Sequence, residues 1–239
     1  MTTGDKLVNI AERFPIVYSE GLVKGRKAEY DEFWDVYQKN GTVYSASYMY
    51  ANEGWNDDTF KPKHSQALMT NCTNMFNTCG VTDLQAILDR QGVVFDFSKC
   101  KEFGSAFSYS KLTRVGVINT TSANVLNSMF YSSKNLHTID KIILKNDGSQ
   151  VFNNNVFSGC NSLKEIRFEG VIGKSLDIHW STKLSMPSLA SIIAALSDTV
   201  TGQTITFPTT AESNYDSETY IGRWKEVVAS KPNWKFEYA

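Results

Sequence analysis

At four places along the chain an apolar residue followed by phenylalanine opens a shared pattern: Met75-Phe76, Ala106-Phe107, Met129-Phe130 and Val156-Phe157. Three residues after each phenylalanine stands a small residue, Cys79, Ser110, Ser133 or Cys160, and beyond it an apolar anchor, Val81, Leu112, Leu136 or Leu163. An alternating run follows each anchor: Val93-x-Phe95-x-Phe97, Val115-x-Val117, Ile142-x-Leu144 and Ile166-x-Phe168. Alternation of this kind predicts a short strand with one face inward. The phenylalanines fall 31, 23 and 27 residues apart. The first interval is long because Leu84, Ile87 and Leu88 form a helical face between anchor and strand. The third is long because Leu136-x-x-Ile139-x-x-Ile142 stands where the other units pass directly to the strand. A unit of roughly 20–30 residues cannot bury its own Phe, Leu and Ile, but stacked units can. The pattern therefore predicts coils stacked around an internal column, with a parallel sheet along one side.

The two ends read differently. Residues 187–197 open with Pro187 and place Leu189, Ile192, Ile193 and Leu196 at helical spacing. Thr204 to Phe207 reads as a final strand closed by Pro208. Residues 217–230 read as a helix with Tyr220, Trp224, Val227 and Val228, and Trp234 and Phe236 alternate as an edge strand. At the N-terminus, Leu7, Ile10, Phe14 and Val17 follow the a/d rhythm of a coiled coil. Pro15 should end or kink that helix near Phe14. A second helix is expected from about Lys27 to Lys39, with Tyr30, Phe33, Trp34 and Tyr37 on one face. The two helices could cap the repeats, or the first could serve assembly through Leu7, Ile10, Phe14 and Val17.

The clearest unit, Phe157-Ser-Gly-Cys-Asn-Ser-Leu163-Lys-Glu-Ile166-Arg-Phe168, resembles the BspA-type leucine-rich repeat of gut and oral bacteria and their phages. The leader KLVNIAERFPIVYSEGLVKGRKAEYDEFWDVYQKNG and the ending SLASIIAALSDTVTGQTITF with WKEVVASKPNWKFEYA resemble the flanks of repeat proteins encoded in phage and prophage tail regions. The resemblance implies an α/β leucine-rich-repeat (BspA-like) solenoid with short parallel strands, a helical N-terminal leader and an α/β C-terminal cap. The expected divisions are a leader over 1–40, an aromatic-rich cap or linker over 41–67, repeats over 68–183 and the C-terminal cap over 184–239. It also implies a non-enzymatic tail-associated structural protein of the virion, made in the bacterial cytoplasm, that presents a repeat surface for protein or host-receptor binding. Its implied partners are a protein or a cell-surface glycan. A trimer, or docking on phage tail components, is the expected assembly. Other classes are a glycan-degrading tail enzyme, a bacterial surface adhesin and a phage-encoded inhibitor of a host protein.

Composition narrows this picture. Lys and Arg number 24 against 25 Asp and Glu, a balance that argues against a general nucleic-acid binder. A hydrophobic fraction of 41% suffices for a sizeable core and excludes a mostly disordered chain. The longest apolar stretch, Leu189 to Leu196, is far shorter than the ~20 residues of a membrane span and contains Ser191. The first residues carry charges where a signal peptide needs an apolar run. That start implies reduced thiols, so the four cysteines are not expected to form a disulfide frame.

Cys79 and Cys160 share a column three coils apart, about 14 Å at ~4.7–4.9 Å per coil, too far to bond. Cys72 and Cys79 lack a usual zinc spacing, and His64, His137 and His179 form no ligand pattern, so no metal or cofactor site is expected. No nucleophile elbow, dinucleotide fingerprint or phosphate loop occurs, so no catalytic residue is assigned. Asp57-Asp58, Asp83 with Asp89, and Asp96 are carboxylates that a glycosidase could use. Aromatic side chains beside short polar groups suit partner surfaces. On that ground Tyr48, Tyr50, Trp55, Tyr109, Tyr131 and Trp180 are the candidate partner residues.

Overall fold

The computed structural model describes residues 8–9, 44–47, 49–51, 55–58, 60–62, 65–66, 68–153, 155–217 and 223–239. Three short strands, β1 (Val8–Asn9), β2 (Tyr44–Ser45) and β3 (Met69–Asn71), pair in that order. Helix α1 (Leu84–Gln91) follows, started by the Asp83 carboxylate accepting the Ala86 N–H and ended by left-handed Gly92. Strands β4 (Arg114–Asn119), β6 (Thr138–Ile143) and β8 (Glu165–Glu169) form a second sheet in that order. Between them in the chain lie β5 (Val125–Leu126) and β7 (Val151–Phe152), which pair with each other. The last sheet joins β9 (Leu176–Asp177), β10 (Gln203–Phe207) and β11 (Trp234–Tyr238), with β10 central. Helices α2 (Met186–Ala195), α3 (Ala211–Asp216) and α4 (Trp224–Ala229) pack around it. Every strand pairing is parallel.

This is a mixed α/β fold of short parallel strands in small sheets, and it corrects the expected leucine-rich-repeat solenoid. Among the described residues the strands fall into four separate sheets rather than one continuous sheet along one side. Helices explain part of the division. The chain leaves the sheet at α1 on the β4 flank and at α2 on the β8 flank, so the β4-β6-β8 ladder stops after three strands.

Other expectations also change. Val8 and Asn9, inside the expected leader helix, are a strand paired with Tyr44 and Ser45. Leu7, Ile10, Phe14 and Val17 lie outside the described residues, as do residues 27–39. The Val93–Phe97 run is no strand: Phe95 makes a single bridge to Gln66. The expected helix over 217–230 is reduced to α4, preceded by the separate α3, with Tyr220 outside the described residues. The expectation of reduced cysteines is corrected by a Cys72–Cys100 disulfide, which ties two successive turns over a separation of 28 residues.

Within this fold the phenylalanines do stack. The rings of Phe76, Phe107, Phe130 and Phe157 follow one another at 5.5, 5.3 and 5.6 Å, tilted by 7°, 11° and 8°. All four are buried. Three of the rings sit in tight turns closed by the N–H three residues on, as in Cys79 to the Phe76 carbonyl and Cys160 to the Phe157 carbonyl, both 3.1 Å, and in the Phe107 turn the Ser110 hydroxyl donates to the Phe107 carbonyl at 2.9 Å. The phenylalanine N–H bonds the next turn instead: Phe76 to Ala106, Phe107 to Met129, Phe130 to Val156. Three of these turns carry left-handed backbone two residues to either side of the phenylalanine. Asn74 and Thr78 flank Phe76 this way, Ser105 and Tyr109 flank Phe107, and Ser128 and Ser132 flank Phe130, all with φ of 50–56°. Gly159 takes the position after Phe157.

Register places Val115 opposite Ile139 and Ile139 opposite Ile166. The buried row therefore lies three residues after Leu112, Leu136 and Leu163, so Ile139, not Ile142, is the first inward strand residue of its unit. A further turn of the same kind occurs at Ile178, where the Ser181 N–H bonds the Ile178 carbonyl at 3.0 Å and Leu184 is buried. Isoleucine in place of phenylalanine hides this turn from the sequence pattern.

Candidate functional site

Five of the six candidate partner residues are described, and these separate into two groups. Tyr50 and Trp55 are only 1% and 2% exposed, which corrects their assignment to the surface. Their rings meet edge-on at 5.2 Å, pack on Phe60 and cover the end of the phenylalanine stack at Phe76. The Tyr50 hydroxyl accepts the Gln66 amide at 2.7 Å. Tyr48 lies outside the described residues. Tyr109 and Trp180 are exposed, and Tyr131 is half-buried.

Tyr109 and Tyr131 belong to successive turns and meet as a pair, ring centroids 5.3 Å apart at 79°. The backbone supports that approach, because the Tyr109 N–H bonds the Tyr131 carbonyl at 2.9 Å. Tyr109 occupies a left-handed position (φ 55°) that related turns fill with Thr78, Ser132 and Gly159. A bulky side chain there is strained. Its ring nevertheless stays 54% exposed. Partial desolvation, then the Tyr131 hydroxyl, holds the Tyr109 phenol above its ordinary range. Trp180 occupies the corresponding place in the Ile178 turn. It lies 5.0 Å from the His179 ring, whose Nδ1 is 2.6 Å from the Asp177 carboxylate.

A cleft of about 490 Å³ opens between α1, the Val93–Phe97 segment and β4. On the sheet wall of this cleft Arg114 of β4 donates to Asp140 of β6 through Nε at 3.0 Å and Nη2 at 2.8 Å. Asp140 and its Coulombic neighbours Asp83 and Asp89 hold the Arg114 guanidinium above its already high range. Of the carboxylates considered for glycoside chemistry, four serve the chain itself. Asp57 accepts the Thr82 N–H and hydroxyl, Asp83 starts α1, Asp89 accepts from Gln85, and Asp96 accepts the Ser98 N–H. The sequence reading missed this cleft, because it arises where α1 replaces a strand and no motif marks the vacancy beside β4.

Two thiols remain free, Cys79 and Cys160, both buried. Burial pushes each up to about 12. Among the described residues no group of three His, Cys, Asp or Glu is arranged to hold a metal ion. No described helix is long and apolar enough to cross a membrane. No family model matches the chain, and neither curated proteins nor solved structures give a significant match.

Proposed function

We propose that the protein is a non-enzymatic, tail-associated binding protein of a phage or prophage, presenting the Tyr109–Tyr131 pair to a protein or host receptor. The supporting observation is Tyr109 itself: a large aromatic ring kept exposed on a left-handed backbone where small residues serve the neighbouring turns. Strain retained at an exposed aromatic residue supports a role in recognition rather than in folding. The engaged carboxylates of the cleft favour this reading over glycan hydrolysis, which needs a free acid and base pair. Association with a tail rests on the resemblance of the repeat unit and flanks to tail-region proteins.

Immunogold electron microscopy and host-cell adsorption of virions test both parts, using wild-type protein and Tyr109→Ser/Tyr131→Ser. Gold should decorate the tail in both, and adsorption should fall at least tenfold in the variant. Virions without label would overturn the tail assignment. Labelled virions with unchanged adsorption would overturn the tyrosine surface.

A further inference from the structure

The β4-β6-β8 sheet has a helix at each flank, and the two flanks are finished differently. On the β8 side, α2 closes the edge: the Ser188 hydroxyl accepts the Ile166 N–H at 2.9 Å, and the Ser191 hydroxyl accepts the Phe168 N–H at 3.0 Å. On the β4 side, α1 does no such thing. Its Gln85 amide turns back to Asp89 at 2.7 Å, and among the described residues no α1 side chain bonds the β4 backbone. Gln85 instead lies over Gly116, where an added Cβ would come within 1.6 Å of it.

A parallel strand points half of its peptide groups to each neighbour. Strand β6 takes one set from β4; at the strand's start the Thr82 carbonyl accepts the Thr113 N–H at 2.6 Å and Asp83 bridges Arg114, so the rest of the other set, from Val115 to Asn119, faces the cleft. The opposite wall has the same character. Gln66 bonds the Val94 carbonyl at 2.7 Å and the Asp96 N–H at 2.6 Å. That bridge turns the N–H and C=O of Phe95 away from Gln66. Two exposed valines, Val94 at 64% and Val117 at 48%, flank the opening. Arg114 is clamped by Asp140, so Asp89 and Asp96 leave the cleft net negative. An open strand edge with apolar flanks and a negative field matches one class of partner.

We infer that the open edge of β4 accepts an extended peptide segment of a partner protein, alternating apolar and basic residues, by strand addition. Main-chain hydrogen bonds would supply affinity and alternate side chains the selectivity. The valines would receive the apolar side chains, and Asp89 and Asp96 the basic ones. This site is separate from the Tyr109–Tyr131 surface.

The probe is a blocked decapeptide of alternating Lys and Val, titrated into the full-length protein with amide-resolved NMR. Its controls are the Glu-Val counterpart and two Lys-Val peptides N-methylated on one or the other alternate set of amides. Binding should perturb Gly116–Asn119, and the Glu-Val peptide should bind at least tenfold more weakly. One methylated set should lose at least tenfold and the other should not, because strand addition uses one edge of the peptide. Asp89→Asn/Asp96→Asn keeps both carbonyl acceptors and should weaken the Lys-Val peptide several-fold. Val117→Lys should abolish its binding. Equal binding of Glu-Val, or equal response to both methylation patterns, overturns the inference. Self-association in sedimentation that Val117→Lys abolishes would overturn it in favour of a second copy of this chain.

Discussion

The Cys160 thiol points at the Phe130 carbonyl oxygen of the preceding turn, 3.1 Å away. Ser133 makes the same contact to Phe107, and Ser110 lies 3.4 Å from Ser133. The small column is therefore a row of donors to buried carbonyls: Ser133 and Cys160 reach one turn back, and Ser110 bonds the Phe107 carbonyl of its own turn at 2.9 Å. Serine is the stronger donor, so Cys160→Ser should change stability by less than about 1 kcal/mol. Cys160→Leu loses the donor and overfills a fully buried site, and should cost about 1–3 kcal/mol. Denaturant midpoints of the two variants check this, and equal midpoints would contradict the packed column.

Phe130 has a stacked ring on both sides, Phe107 and Phe157. Removing it leaves a void shared by three turns. Phe130→Ala should cost about 3–5 kcal/mol in equilibrium unfolding. A loss below about 1 kcal/mol would place the ring outside the stack.

Burial raises the Cys79 and Cys160 thiols from the ordinary 9.0 to about 12. The folded state thus keeps protons that the unfolded chain releases above about pH 9. Their contribution is fully present below pH 9 and is lost as pH rises toward 12. Lysines and tyrosines titrate there too, so the readout is the difference from Cys79→Ser/Cys160→Ser. The wild type should lose more stability than the variant between pH 8 and 11, measured by denaturant unfolding. Parallel curves would show that the thiols are not withheld from water.

Much of the interior was legible because burial writes itself as spacing. Phe76, Phe107, Phe130 and Phe157, with their small partners three residues later, carry a fixed offset that a turn imposes. Helix α2 was legible from Pro187 and the Leu189, Ile192, Ile193 spacing. What pairs across turns was not. The Cys72–Cys100 bond depends on how two turns sit over each other, and the expectation of reduced thiols pointed the wrong way. Division into four sheets was hidden because period-two alternation shows that a strand can form, not which strand lies beside it. Tyr50 and Trp55 looked like surface because aromatic and short polar residues alternate around them. They are buried because the end of a ring stack needs a lid. The left-handed positions show in Asn74, Ser105, Ser128 and Gly159 only once the turn is known, and Tyr109 defies the residue preference of such positions.

That defiance is the centre of the account: Tyr109 is held on a backbone that suits glycine so that its ring stays presented. The most direct test compares the unfolding free energies of Tyr109→Gly and Tyr109→Ala, since both lose the ring and only one keeps a Cβ. On an ordinary backbone alanine is the more stable by about 0.5–1 kcal/mol. A left-handed position penalises the Cβ by about 1–2 kcal/mol. The inverted order is therefore expected, with Tyr109→Gly the more stable by up to about 1.5 kcal/mol. Tyr109→Ala above Tyr109→Gly would contradict it.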